Sequence, residues 1–287
     1  MESRVRVGPA GWSYEDWKGI VYPAKAGGKF DQLAYLSQFF DTIEINSTFY
    51  RPPAPSAAKS WARRVAHNAD FKFTAKLYRV FTHERGKAAA EDEEAYRKGV
   101  SPLLEAERLG AVLVQFPWSF KNDQESRDYL AGLLDRFKDY PLVLEVRHGS
   151  WNKPSVYKSL ESRDVGFCNI DQPLFARSIE PSARTTSKVG YVRLHGRNYE
   201  NWFSETSDAA ERYDYLYTTQ ELQPWLENIK AVAESAAETY VITNNHFQGK
   251  AAANALEIKS QLKGEKVAAP ESLIEQYPKL RESAFAI

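Results

Sequence analysis

Cysteine is almost absent: Cys168 is the only one in 287 residues. That excludes an internal disulfide and any cysteine-based zinc cluster. Cys168 lies inside an apolar run and is expected to pack as a small buried hydrophobe. An excess of either charge is missing too, since 38 basic residues balance 38 acidic ones. No global field therefore draws the chain to nucleic acid or to a membrane, although a local basic patch stays open. No apolar stretch reaches the roughly 18 residues of a membrane span, and no signal-peptide core precedes the first strand-like run. The expectation is a soluble, cytoplasmic protein without a membrane partner. GxGxxG fingerprints, Walker loops, GxSxG elbows and HExxH pairs are all absent. So are internal repeats, low-complexity tracts and interdomain linkers.

What is present is a regular alternation. Hydrophobic residues make up 43% of the chain, enough for a large core. Short β-rich runs recur at 5–11, 42–48, 71–77, 111–117, 142–148, 165–171, 189–196 and 240–247. Stretches with helical period lie between most of them, at 31–40, 57–68, 93–109, 123–137, 154–163 and 221–236, and one follows the last at 251–262. Thr218 and Glu221 have capping-box spacing ahead of the 221–236 helix. Alternating strands and helices imply parallel pairing, and eight strands favour closure into a single (β/α)8 barrel of TIM type. Residues 172–188 show no helical pattern, so one connection is expected to be irregular. The barrel is expected over 1–262, with a C-terminal helix and tail, 263–287, packed on it.

Strand alternation then sorts the polar residues. Glu44, Asn46 and Thr48 share a face, as do Thr74 and Lys76, Glu145 and Arg147, Asn169 and Asp171, and Tyr191, Arg193 and His195. The opposite faces are apolar and should meet the helices. The polar set should therefore enter the lumen, placing Glu44, Glu145 and Asp171 against Lys76, Arg147 and Arg193. A closed ion-pair network would account for these residues structurally. Aliphatic side chains would fill a merely structural barrel more cheaply, since buried charge is costly unless paired. A functional site at the C-terminal ends of the strands is the expectation.

Of five histidines, His83, His148, His195 and His246 fall at or beyond strand ends. Imidazole there can serve as acid, base, ligand or anion partner. Glu44, Glu145, Asp171, His195 and His246 include suitable donors for a divalent metal, but the neighbouring cations oppose one, so metal is not favoured and the cofactor is left unknown. Lys76, Arg79, Arg147, Arg193 and Arg197 could hold phosphate or carboxylate. The rim segments also carry Trp12, Tyr14, Trp17, Phe49, Tyr50, Trp118, Trp151, Tyr199, Trp202 and Phe203, which could stack on sugars or bases or simply cap the barrel.

Several motifs here resemble the YecE-like family, domain of unknown function 72. They are GWSYEDWKGIVYP (11–23), TIEINSTFYRPP (42–53), LVQFPWSF (113–120), LEVRHGSW (144–151), YVRLHGR (191–197) and NNHFQGKAAANAL (244–256). They occur in family order across nearly the whole chain. The resemblance implies a β/α barrel and no established reaction. One departure is Ala10, where the family usually has a small hydroxyl residue before the second glycine.

The residues together suggest an enzyme acting on a small, anionic, oxygen-rich ligand, phosphorylated or nucleotide- or sugar-like. Glu145 or Glu44 would be general base or acid, and His195 and His246 would move protons or polarise the ligand. Arg147, Arg193, Arg197 and Lys76 would hold the anion. Asn46, Gln115, Asn244, Asn245, His148, Asp171, Trp12 and Tyr50 would complete the binding site. Two rivals remain. One is a metal-dependent phosphodiester hydrolase acting on nucleic acid, by fold-level analogy with endonuclease IV-type barrels; the other is a non-catalytic metabolite-binding protein. The oligomeric state is left open.

Overall fold

A computed structural model describes residues 4–200, 202 and 211–287. Phe203 and most of its rim segment lie outside the described residues. Eight strands form one sheet: β1 (Arg4–Pro9), β2 (Thr42–Ile45), β3 (Lys72–Lys76), β4 (Leu109–Gln115), β5 (Leu142–Glu145), β6 (Gly166–Asp171), β7 (Val189–Leu194) and β8 (Glu238–Thr243). All neighbouring pairs are parallel, in the order β1-β8-β7-β6-β5-β4-β3-β2. The ring is completed between β1 and β2 by a single bridge, Ala10 to Glu44, with the Gly11 amide donating to the Glu44 carbonyl at 2.8 Å. At this seam the backbones come very close: a Cβ on Gly8 would lie 1.8 Å from the Thr42 carbonyl oxygen. The architecture is the (β/α)8 barrel that the strand count predicts.

Helices cover the outside. They are α1 (Gln32–Leu36), α2 (Ser47–Tyr50), α3 (Pro55–Arg64), α4 (Ala90–Glu105), α5 (Gln124–Arg136), α6 (Pro154–Glu161), α7 (Thr219–Ser235) and α8 (Lys250–Lys263). Local chemistry sets their ends. Asp123 accepts from the Ser126 amide at 2.8 Å to start α5, and Thr218 and Glu221 form the reciprocal capping box of α7. Gly264, at φ 70°, ends α8. Residues 172–188 contain no helix and cross the outside of the barrel as irregular chain. Beyond α8, β9 (Val267–Ala269) pairs in parallel with β10 (Ala284–Ala286), and α9 (Glu271–Gln276) lies between them. Leu273 and Leu280 are buried there, and Ser272 donates to the Ile20 carbonyl at 2.8 Å.

The strands stop short of the runs seen in the sequence. β2 ends at Ile45, because Ser47 begins α2, and β5 ends at Glu145. Strict alternation therefore fails beyond those points. Thr48 turns to donate to the carbonyls of Ile45 and Lys76, at 2.9 and 2.7 Å, and ties β2 to β3.

β6 departs from the expected facing. Its register sets Cys168 beside Tyr191 and Ile170 beside Arg193, whereas Asn169 pairs with Val192 and Asp171 with Leu194. Parallel partners share a face. Cys168 and Ile170 thus face the lumen, and Asn169 and Asp171 face outward, contrary to expectation. The missing helix supplies the reason. Asn169 accepts from the Arg184 amide and the Ser182 hydroxyl, both at 2.7 Å, and donates to the Arg184 carbonyl at 2.9 Å. It satisfies an irregular backbone that no helical ladder serves.

Candidate functional site

The lumen holds two polar clusters. At the N-terminal end of the strands, Lys72 donates to Glu238 at 2.8 Å, and Tyr240 does so at 2.6 Å. Arg6 lies 3.4 Å from Glu238 and donates to the Asp70 carbonyl at 2.9 Å. The Tyr240 ring reaches across the lumen into the space that Gly110 leaves open.

The second cluster lies nearer the C-terminal ends. Arg193, from β7, is 1% exposed and bridges two buried carboxylates. It donates to Glu44 at 2.7 and 3.1 Å and to Glu145 at 3.1 Å. Tyr191 donates to Glu44 at 2.9 Å and contacts Thr74 at 2.9 Å. Arg147 donates to Glu145 at 3.2 Å, and His195 Nε2 is also 3.2 Å from that carboxylate. Asn244 donates to His195 Nδ1 at 3.1 Å, so Nε2 carries the imidazole proton and Nδ1 the lone pair. Burial pushes His195 down to about 3, so it is neutral near pH 7. Burial alone would raise Glu145, but Arg193, His195 and Arg147 hold it well below the usual carboxylate range. Glu44, Glu145, Arg193, His195 and Asn244 therefore share one network. Glu145 is left with no proton to give and no oxygen free of a donor, which does not suit it to acid–base catalysis. Arg193 is committed to both carboxylates rather than to a ligand.

Above this network a cavity of about 210 Å³ opens at the rim, lined by His83, Gln115, Pro117, Trp118, Arg147, Gln172, Ser178, Trp202, Arg212 and Tyr213. The Arg147 guanidinium lies 5.5 Å from the Trp202 ring centre. In this wall the buried Gln115 Oε1, an acceptor, and Trp118 Nε1, a donor, lack hydrogen-bond partners among the described residues. Beside the rim, Lys76 places its ammonium 4.3 Å from the centre of the Phe49 ring. Burial, followed by the charge of Arg193, brings Lys76 down to about 7 despite Glu44 and Glu145. His83 packs edge-on against Phe49 at 4.9 Å, and burial with the charge of Lys76 pushes it down to about 4.

The other expected site residues are dispersed. Asp171 accepts two bonds from Arg197, at 2.9 and 3.0 Å, and one from Tyr217 at 2.5 Å. Asp171 and Arg197 are thus paired with each other outside the lumen. Asn245 donates to the Tyr215 carbonyl and to Asn254, at 2.7 and 2.9 Å, which fastens the rim to α8. His246 stacks on Tyr14 at 4.4 Å and lies 5.1 Å from Tyr213; burial pushes it down to about 4. It has no contact with the Arg193 network among the described residues. Asn46 reaches the Tyr14 hydroxyl at 3.5 Å. Trp12 packs on Trp61 and Phe73, and Tyr50 is 66% exposed against Phe49. His148 Nδ1 accepts from the Ser150 amide at 3.1 Å, and its ring meets Trp118 at 5.1 Å. Trp17 and Trp151 are buried core residues, whereas Trp118 and Trp202 line the cavity.

Gln172, Ser178, Arg212 and Tyr213, with the apolar Pro117, are the lining residues that sequence reasoning missed. Gln172 and Ser178 come from irregular chain, and Arg212 and Tyr213 from a single 3-10 turn (Glu211–Tyr213), where no periodicity gives a facing. No group of three or more His, Cys, Asp or Glu residues is arranged to hold a metal ion among the described residues. No helix there is long and apolar enough to cross a membrane.

A parallel eight-stranded ring with a buried ionic lumen and an open C-terminal rim defines a (β/α)8 barrel. The chain belongs to the family described as Protein of unknown function DUF72, which matches residues 6–278. The chain is 28% identical over 264 residues to the UPF0759 protein YunF of Bacillus subtilis (strain 168), a match covering 87% of this chain and 92% of YunF. It is similar to a solved DUF72 family protein of Thermotoga maritima MSB8, at 35% identity and a TM-score of 0.79, covering 91% of this chain and 99% of that one. A second solved DUF72 protein, from Enterococcus faecalis V583, has 26% identity and a TM-score of 0.78, covering 90% and 95% respectively.

Proposed function

We propose that the rim cavity binds a small anionic, oxygen-rich ligand and that the protein is an enzyme acting on it. The observation that carries this reading is the balance of charge at the C-terminal end. With Asp171 facing outward, two carboxylates, Glu44 and Glu145, meet three cationic residues, Arg193, Arg147 and Lys76. The surplus belongs to Lys76, which rests on the Phe49 ring outside the closed network. Among the described residues Arg147 uses only its Nε, on Glu145, which leaves its outer nitrogens for an anion. Gln115 Oε1 and Trp118 Nε1 offer one acceptor and one donor for hydroxyl groups, and Trp202 provides a ring face.

Calorimetric titration with inorganic phosphate, sugar phosphates, nucleotides and their uncharged counterparts tests the reading. Saturable binding that needs the anionic group is expected. Arg147→Met should weaken it roughly 10- to 100-fold, the range for a lost charge-assisted bond. Equal affinity for charged and uncharged ligands, or no change in Arg147→Met, would sink the proposal.

A further inference from the structure

We propose that Lys76 is a nucleophilic amine and that the rim site takes a small anionic aldehyde or ketone, which Lys76 condenses to an imine. This deepens the anion-binding reading above and rests on it for the charged handle. The geometry begins with the backbone. Lys76 is the last residue of β3, and its carbonyl accepts from Thr48 at 2.7 Å and from Tyr96 at 3.2 Å. The base of the side chain is thereby fixed at the rim, and the residue is half-buried. Its Nζ has no hydrogen-bond or ion-pair partner among the described residues and rests on the Phe49 ring.

The neighbouring carboxylates are already in use. Glu44 accepts from both Arg193 and Tyr191, and Glu145 accepts from Arg193 and Arg147 and meets His195. The charged groups that act on Lys76 are Arg193, Glu44, Glu145 and Arg147; His83, which lines the cavity, packs edge-on against Phe49, and Arg79 lies 5.9 Å from that ring's centre. An ammonium that is partly desolvated, beside two guanidiniums and without a carboxylate of its own, gives up its proton readily. At about 7, roughly half the Lys76 side chains carry a free lone pair at neutral pH.

The step balances without an oxidant. The amine lone pair forms a C–N bond as the carbonyl π pair moves to oxygen. One proton leaves nitrogen and oxygen becomes a hydroxyl, giving a carbinolamine. Loss of that oxygen with a further proton, as water, forms C=N. The protonated imine is a cation, and the Phe49 face that now meets the ammonium would meet it equally.

Reductive trapping tests the proposal. The protein is treated at pH 7 with cyanoborohydride and either glyceraldehyde 3-phosphate or glyceraldehyde, and labelled peptides are mapped by mass. Lys98, exposed and paired with Glu94, serves as the internal standard. Lys76 should label at least about tenfold faster than Lys98, because an ordinary lysine is almost wholly protonated at that pH. Lys76→Arg, which keeps the charge and much of the volume, should remove only this fast labelling. The proposal is overturned if Lys76 labels no faster than Lys98 with either aldehyde, even where phosphate binding is measurable. If both aldehydes label Lys76 equally fast and inorganic phosphate gives no protection, the nucleophile stands and the anion reading falls.

Discussion

The two ends of the barrel lumen use similar residues to different effect. At the N-terminal end each cation finds oxygen: Lys72 meets Glu238, Arg6 meets Glu238 and the Asp70 carbonyl, and Arg108 donates to the carbonyls of Asn68, Ala69 and Phe71. At the C-terminal end Arg193 is equally satisfied, but Lys76 meets an aromatic ring. Ion pairs alone therefore do not mark a site. The unsatisfied cation at the rim is the difference between the two ends, and stability would be better served by neutralising or removing it.

Substitutions can break this contrast. The largest effect is expected from Arg193→Met, which strands two buried carboxylates. It should destabilise the protein by about 3–5 kcal/mol in chemical denaturation. A loss near zero would mean that Glu44 and Glu145 are not held as an ionic network.

Lys76→Met should act in the opposite direction, stabilising the protein by about 1–2 kcal/mol at neutral pH, since an unpaired, partly buried charge is replaced by an apolar chain. The sign depends on pH. The folded value, about 7, lies below the unfolded value of 10.5, so the native state binds the proton less well. The cost of Lys76 is complete below about 7, shrinks as pH rises and vanishes above 10.5. The advantage of Lys76→Met should follow that curve; an advantage independent of pH would point to packing instead.

The smallest effect is expected at the other end. Lys72→Met should cost about 0.5–1 kcal/mol, because its pair with Glu238 is partly exposed. Opposite signs for the two lysines, measured side by side, would sharpen the contrast; equal signs would erase it.

Much of the barrel was legible in the sequence because alternation and helical period are local properties. The inward facing of Glu44, Glu145 and Arg193 followed from strand parity alone. Parity misled at β6, where polar residues were expected to face the lumen. Asn169 and Asp171 instead serve chain on the outside: Asn169 satisfies the irregular segment that stands where a helix would join β6 to β7, and Asp171 pairs with Arg197 and Tyr217. The cavity was less legible. Its wall joins Gln115 and Arg147 to Gln172, Ser178 and Tyr213, which meet only through irregular chain and one short 3-10 turn. The state of Lys76 was hidden for another reason: it depends on which carboxylates are already engaged, and sequence does not record partners.

The seam between β1 and β2 gives Glu44 a second meaning. Its backbone makes the bridge to Ala10 and accepts from Gly11, while its side chain is gripped by Arg193 of β7 from across the lumen. Glu44 thus works like the hub end of a spoke. Where the rim of the wheel is joined by little backbone, an electrostatic strut crosses the lumen to the third strand along and holds the seam in place.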